Sequence, residues 1–521
     1  MIITAEGIDP GSELAGDVCI VGAGAAGITL AREMAAGGAK VILLEAGEEE
    51  FTDESQDVYD GESLGYAPIY SSRLRYFGGT TNHWSGYCRP YNRIDFEARD
   101  WIPRSGWPLP YDTLLGYLEK ARPLVEITDR GFLAEEWVDA VGGTLFPLPD
   151  TFVQSVSQLS PPTRFAERYR GDLEASDAIT CVLRASVVDL EPAGDGGRKL
   201  ARVTVQRYDD ETFTATARFF VLALGGVENA RLLLAARAVK DRALGTAPDL
   251  IGRFFMDHVG ADVGVLAMPM AAAEASVYLP WKGRQLGDTV VVPAIETSDG
   301  FQRQHKLTNV NFTLIPGQSY GVRAFRRIAG DLERFEWPRT LDRDIVGMFS
   351  NFDDVLSHAG EKLGMSDATM HFYVRAIAES TPNPDSRVTL DGATDRFGLP
   401  RARLSFQANA IDLHSVDVSL TALARALGEA GLGRVKTDFD PGGGWSDSVE
   451  WGYHHCGTTR MSAVPEDGVV DADLRLHGME NLYVVGSSVF PTIGATTPTW
   501  PIAALSLRLA DHLRERMSND S

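Results

Sequence analysis

A chain of 521 residues is too long for one hydrophobic core, so the sequence predicts at least two domains. Its 44% hydrophobic and 23% charged content is ordinary for a soluble globular protein, and no apolar run approaches the roughly 20 residues that span a bilayer. The formal net charge of −23 disfavours nucleic acid, anionic lipid surfaces and strongly anionic substrates.

In chain order, residues 1–17 show no basic stretch, no apolar export core and no twin arginine, which predicts a cytoplasmic protein. The apolar run Val18–Val21 then breaks into Gly22-x-Gly24-x-x-Gly27. A helical pattern follows to Gly37-Gly38, and a second apolar run closes on Glu45. This is the pattern of a dinucleotide-binding βαβ unit. Gly22 permits the tight turn, Gly24 lets a pyrophosphate approach the backbone, and Gly27 lets helix and strand pack closely. The helix then offers its unpaired N–H groups to the phosphates. Glu45 stands where an acid holds a ribose 2′-hydroxyl and refuses a 2′-phosphate.

Residues 180–222 alternate, with strands expected over Cys181–Leu190 and Ala201–Tyr208 and a turn at Ala193–Gly197, a β-meander inserted in the nucleotide domain. Phe219–Leu224 repeats the strand-to-glycine break at Gly225-Gly226, ahead of the helical Val227–Arg237. Beyond it, Thr289–Ile295, Leu307–Leu314, Thr369–Ala378 and Arg387–Leu390 read as strands of a second domain. The charged stretch Arg323–Gly364 reads as helical, Thr381–Ser386 and Asp440–Gly444 as loops, and Asp412–Ala430 as a helix ending at Gly431. Leu482–Val485 makes a third break, at Gly486-Ser487, and Pro501–Arg514 is helical. One doubly wound sheet assembled discontinuously accounts for all three breaks. The expected division is 1–260 for the first part of the nucleotide domain, 261–446 for the second domain and 447–521 for the return. The cysteines Cys19, Cys88, Cys181 and Cys456 are scattered without CxxC spacing, which predicts a reducing compartment, no disulfide and no structural metal.

The C-terminal part carries His454-His455-Cys456-Gly457-Thr458-Thr459-Arg460-Met461 and then Phe490–Thr499 (FPTIGATTPT). Together with FGGTTNHW (77–84), ALGGVENARLLL (223–234), PNPDSRVTL (382–390) and NLYVVGSSVFPT (481–492), these motifs resemble the glucose–methanol–choline (GMC) oxidoreductases, flavoenzymes that oxidise alcohols. Within that family the chain is most similar to the bacterial branch of pyranose oxidases and C-glycoside oxidases. The resemblance spans roughly residues 15–125, 170–260, 370–406 and 447–515, and leaves 262–368 unmatched.

The resemblance implies an α/β fold: a discontinuous Rossmann-like FAD-binding domain plus an α+β substrate-binding domain built on an antiparallel sheet. It implies FAD, with Gly22, Gly24 and Gly27 at the pyrophosphate, Glu45 at the adenosine ribose and the backbone of Val187 at the adenine. Gly79, Thr80 and Asn82 match the loop that wraps the flavin; Gly486 and Ser487 match the contact to the ribityl–phosphate region. Many members carry an acid near Gly486, and this chain does not. His83 occupies the slot where pyranose oxidases join the flavin covalently to histidine; the alternative is packing beside the isoalloxazine edge.

His454 matches the family's catalytic base. Removing hydride from an alcohol carbon leaves positive charge there unless the hydroxyl proton is taken at about the same time, and a neutral imidazole with a reference pKa of about 6.5 suits that task. His455 is the competing position. The second catalytic position, usually histidine or asparagine, is Thr497, whose hydroxyl can hold a substrate oxygen but cannot act as base. His258, in GRFFMDH, reads as a histidine satisfied by neighbouring backbone. Trp84, Trp451 and Trp500 flank the motifs as stacking surfaces or core, and Arg460 reads as an anchor for its own loop or for a phosphate.

The expectation is therefore FAD-dependent oxidation of a neutral alcohol to a ketone or aldehyde, first of a ring secondary hydroxyl in a sugar or glycoside. O₂, a quinone or another acceptor would re-oxidise the cofactor, and the chain can form a homo-oligomer. Two alternatives stay open: a non-sugar alcohol, aromatic or terpenoid, and a lyase like the hydroxynitrile lyases, in which FAD is structural.

Overall fold

The computed structural model describes all residues except 195–196, 243, 246–247, 279–284, 287–288, 318–368, 438, 444, 446–448 and 520–521. The expected helix at Arg323–Gly364 lies outside the described residues.

Val18–Val21 is apolar at every position because the strand that contains it, Glu13–Val21, is buried on both faces there. It lies between parallel neighbours Val41–Leu44 and Thr212–Leu222, and the sheet continues through Ile179–Leu183 to Ile2–Thr4. Leu482–Val484 pairs parallel with the end of Thr212–Leu222, so a strand from the last part of the chain completes the sheet. The other half of Thr212–Leu222 runs antiparallel to Leu200–Gln206, which in turn pairs with Ser186–Pro192. The expected single strand Cys181–Leu190 is therefore two. It breaks at Arg184, whose φ of 58° turns the chain, and its first piece joins the parallel sheet rather than the meander.

The second sheet is antiparallel, in the order Arg434–Thr437, Val259–Pro269, Thr369–Ala378, Val310–Gly317, Thr289–Thr297, Phe152–Leu159 and Tyr87–Cys88. Two of these strands come from before residue 260, so the stretch 1–260 contributes to both sheets. Helix Ala410–Glu429 covers one face, packing Val416, Leu420, Leu423 and Leu427 against Phe312, Phe372 and Val374. Asn409 caps it reciprocally with Asp412, which places the helix start two residues before the expected one. Arg387–Thr394 leaves the second sheet altogether and pairs antiparallel with Pro400–Ser405, which in turn pairs parallel with Gly61–Leu64 in a small third sheet. All four cysteines are buried and unpaired. No helix among the described residues is long and apolar enough to cross a membrane.

Candidate active site

A cavity of about 400 Å³ opens where the three strand-to-glycine breaks converge, lined by Gly22 and Gly24, by Gly225 and Gly226, and by Gly486 and Ser487. These turns need glycine for different reasons. A Cβ on Gly22 would sit 2.6 Å from the Ala223 carbonyl, and one on Gly27 would sit 1.9 Å from the carbonyl of Gly22, so both allow close packing. At Gly225 and Gly486 a Cβ would meet nothing within 4 Å, and φ values of 83° and 122° hold the backbone open to the cavity. The loop after Phe77 folds over the first turn, the Gly78 N–H donating to the Ala23 carbonyl at 2.9 Å.

Of the residues assigned to the cofactor, Gly22, Gly24, Glu45, Gly79, Thr80, His83, Val187, Gly486 and Ser487 line this cavity. Gly27 and Asn82 do not. Gly27 serves helix packing, and the Asn82 amide donates to the Phe77 carbonyl at 2.8 Å, which shapes the loop from behind. The buried Glu45 carboxylate accepts the N–H groups of Ala23 and Gly47 at 2.9 and 2.8 Å, so it holds the glycine turn while bordering the cavity. Ser487 donates to the His455 carbonyl at 2.6 Å.

The far wall carries the histidines. The segment before Cys456 runs antiparallel to the segment after Met256: Met256 bridges Cys456, Val259 pairs with Trp451, and Gly260 pairs with Glu450. This register sets His258 beside His454, with Nδ1 of one ring 2.9 Å from Nδ1 of the other. Asp257 ties the two backbones together. Its Oδ1 accepts the N–H groups of His258 and His454, both at 2.7 Å, and its Oδ2 accepts the Tyr453 N–H at 3.0 Å and the Tyr66 hydroxyl at 2.5 Å. Tyr453 has a φ of 56°, a strained value for an aromatic residue, and its side chain is 40% exposed at the cavity. Asp257, His258 and His454 have the composition of a metal site. Each carboxylate oxygen, however, already accepts two donors, and the two Nδ1 atoms face each other at hydrogen-bond distance.

Burial sets the electrostatics. It holds His454 well below the usual 6.5, with His258 and His455 adding to the effect, and lowers His258 to about 4 and His455 to about 3. All three imidazoles are neutral at physiological pH. The same desolvation raises the Asp257 carboxyl to about 7, against the pull of its four donors. His83 is exposed on the cavity wall and held below the ordinary value by desolvation and by Arg164.

Several expectations change. Thr497 lines the cavity but spends its hydroxyl proton on the Tyr87 carbonyl, so it has only acceptor capacity left for a substrate hydroxyl. His455 turns into an aromatic cluster, 5.8 Å from the Tyr66 ring and 5.6 Å from the Phe255 ring. Trp500 is fully buried core and donates to the Leu118 carbonyl at 2.9 Å, which rules it out as a stacking surface. Trp451 packs on Tyr66 and Phe406, and Trp84 alone of the three lines the cavity. Arg460 donates to the Arg104 carbonyl and lies over Phe254, an anchor for its own loop. His258 does rest on backbone, its Nε2 lying 3.2 and 3.0 Å from the Ile493 and Gly494 carbonyls, but its other nitrogen meets His454, which its sequence position did not announce.

Known proteins resemble this chain in sequence and fold. A sequence model described as GMC oxidoreductase matches residues 382–506, the span that holds the histidine motif. The C-terminal part of the chain thus matches the GMC oxidoreductases. Fructose dehydrogenase large subunit from Gluconobacter japonicus is 24% identical to it, over 96% of this chain and 97% of that one. 2-Methyl-1,2-propanediol dehydrogenase from Mycolicibacterium austroafricanum is 23% identical, over 96% of each. The solved structure of pyridoxine 4-oxidase from "Mesorbium loti" superposes with a TM-score of 0.57 at 20% identity, covering 95% of this chain and 98% of that one. The chain is an FAD-dependent enzyme that acts on alcohols.

The residues fit that cofactor. The bare turns at Gly24, Gly225 and Gly486 form a cradle that side chains would fill, and the helix Ala25–Ala36 begins at it. When bound, FAD supplies the two-electron acceptor for the carbon-bound hydride.

Proposed function

We propose that this enzyme oxidises a neutral ring secondary hydroxyl of a sugar or glycoside to a ketone, with His454 as the base. One observation carries the assignment of the base: His454 is a neutral imidazole on the cavity wall, with one nitrogen engaged by His258 and the other without a partner among the described residues. That free nitrogen takes the hydroxyl proton as the hydride leaves. Thr497 accepts a second hydroxyl of the substrate, and Trp84 and Tyr453 offer aromatic faces to its ring. The sugar class follows the relatives, since fructose dehydrogenase acts on a sugar by its name. The cavity's polar and aromatic mixture suits such a ring. Gly22, Gly24, Gly225, Gly486 and Ser487 hold the pyrophosphate and ribityl region, Glu45 the adenosine ribose, and the Val187 backbone the adenine. Residues 1–260 and 447–521 then form the cofactor domain, apart from the strands they lend to the second sheet.

A screen of D-glucose, D-fructose, methyl β-D-glucopyranoside and benzyl alcohol, with O₂ and with a dye acceptor, tests the substrate. A chain that bleaches its flavin anaerobically only with benzyl alcohol contradicts the sugar assignment. No bleaching with any alcohol, alongside cyanohydrin cleavage, would identify a lyase. His454→Ala should slow bleaching by about 10²–10⁴-fold in holoprotein of full flavin content. His83, on the cavity wall, is the residue we propose for a covalent link to the flavin. Yellow colour that stays with the denatured polypeptide supports it, and colour in the filtrate leaves His83 as a packing residue.

A further inference from the structure

We propose that His258 is a positioning residue that fixes the tautomer of His454, accepting its Nδ1–H so that Nε2 is the bare nitrogen toward the alcohol. The inference rests on the reading of His454 as base, and its argument is one of donors and acceptors. Backbone carbonyls only accept, so the His258 nitrogen lying 3.2 and 3.0 Å from the Ile493 and Gly494 carbonyls, Nε2, carries a proton. His258 is buried and neutral, and its Nδ1 is therefore bare. The 2.9 Å contact between the two Nδ1 atoms then has one available donor, the Nδ1–H of His454. A neutral imidazole has a single N–H, so Nε2 of His454 is left as a lone pair.

The surroundings hold this choice in place. The carbonyls that orient His258 belong to the loop at 493–494. Behind that loop lies the buried ion pair of Arg99 and Glu379. The other charged or titratable groups facing the two rings are Arg89 and Glu379 toward His258, His455 toward His454, and the Asp257 carboxylate beneath both. In the reaction the alcohol O–H bond breaks and an N–H bond forms at Nε2 of His454. The electron pair of the C–H bond leaves as hydride to FAD, and a C=O bond forms. His454 becomes an imidazolium whose Nδ1–H still points at His258. His258 itself gains no proton.

The test uses ¹⁵N-histidine-labelled holoenzyme, with the His454 signals assigned from His454→Gln. In the wild-type protein between pH 6.5 and 8, His454 should show a protonated Nδ1 and a bare Nε2. A protonated Nε2 overturns the proposal without any substrate. His258→Phe, which keeps a ring but no acceptor, should lose the single tautomer. It should also slow anaerobic flavin bleaching by the best alcohol of the screen by about 10- to 100-fold, with the apparent Kd for that alcohol changed less than about 3-fold. His258→Asn restores an acceptor near the Nδ1 position and should recover most of the rate. A folded His258→Phe enzyme that keeps the Nδ1–H tautomer, or a His258→Asn enzyme no faster than His258→Phe, also overturns it. The spectra need no substrate, so they can fail while alcohol oxidation stands. If His454→Ala kept full turnover, the reading of the base would fall instead.

Discussion

An imidazole works as a base only if it is neutral and if the right nitrogen is free, and different neighbours meet those conditions at His454. Burial beside His258 and His455 keeps it neutral, and the contact with His258 engages one nitrogen. With His454 as the proposed base, acting in its neutral form and with a folded pKa well below 6.5, activity should be lost only as pH falls below that value. Flavin bleaching rates followed from pH 5 to 8 should place the limb of His454 below pH 6.5, and a limb centred on the ordinary value would contradict the buried environment. Thr497 has already given its hydroxyl proton to Tyr87, so Thr497→Val should slow bleaching by less than about 10-fold, far less than loss of His454. The motif singled out His454 as the proposed base. The nearness of His258 was not legible, because 196 residues separate the two and only the pairing of their backbones makes them neighbours.

At the scale of elements, the periodic segments were the legible ones. Thr369–Ala378 was predicted to the residue, and the helix predicted from Asp412 was found from Ala410. Its start was misplaced because Asp412 looks like a cap but serves as the third residue of a capping box whose cap is Asn409. Asn409→Ala should cost about 1 kcal/mol or somewhat more, since the Asn409 amide also donates to the Thr381 hydroxyl at 2.7 Å; urea unfolding measures it. Cys181–Leu190 was misread for a different reason. Apolar runs say that residues are buried, not in which sheet, and the left-handed turn at Arg184 has no glycine to announce it. Arg387–Thr394 likewise looks like any strand, and nothing in its pattern says that it pairs with the next strand, Pro400–Ser405, outside the second sheet.

For the whole molecule, the glycine breaks were enough to predict one discontinuous sheet, because each marks a strand end facing one shared cavity. The boundary between the parts was less legible, since Tyr87–Cys88 and Phe152–Leu159 cross into the second sheet without any change of composition. Where these parts meet, Arg99 and Glu379 form an ion pair with both side chains fully buried, at 2.7 Å. Asp95 stands beside them, its carboxyl raised to about 7 by burial and by Glu379. Arg99→Met strands these acids without their cation and should cost about 3–5 kcal/mol, whereas Arg99→Met with Glu379→Met should cost clearly less. Chemical denaturation of both variants compares them.

The strand Leu482–Val484 and the segment Trp451–Cys456 both dock on partners made far earlier, at Thr212–Leu222 and at Met256–Gly260. A ribosome that has translated the first 440 codons has thus delivered two of the three glycine turns and His258, but not His454, the proposed base. Cofactor capture and catalytic competence are consequently late events in the life of a nascent chain, and a polypeptide shortened from its C-terminal end loses chemistry before it loses most of its architecture.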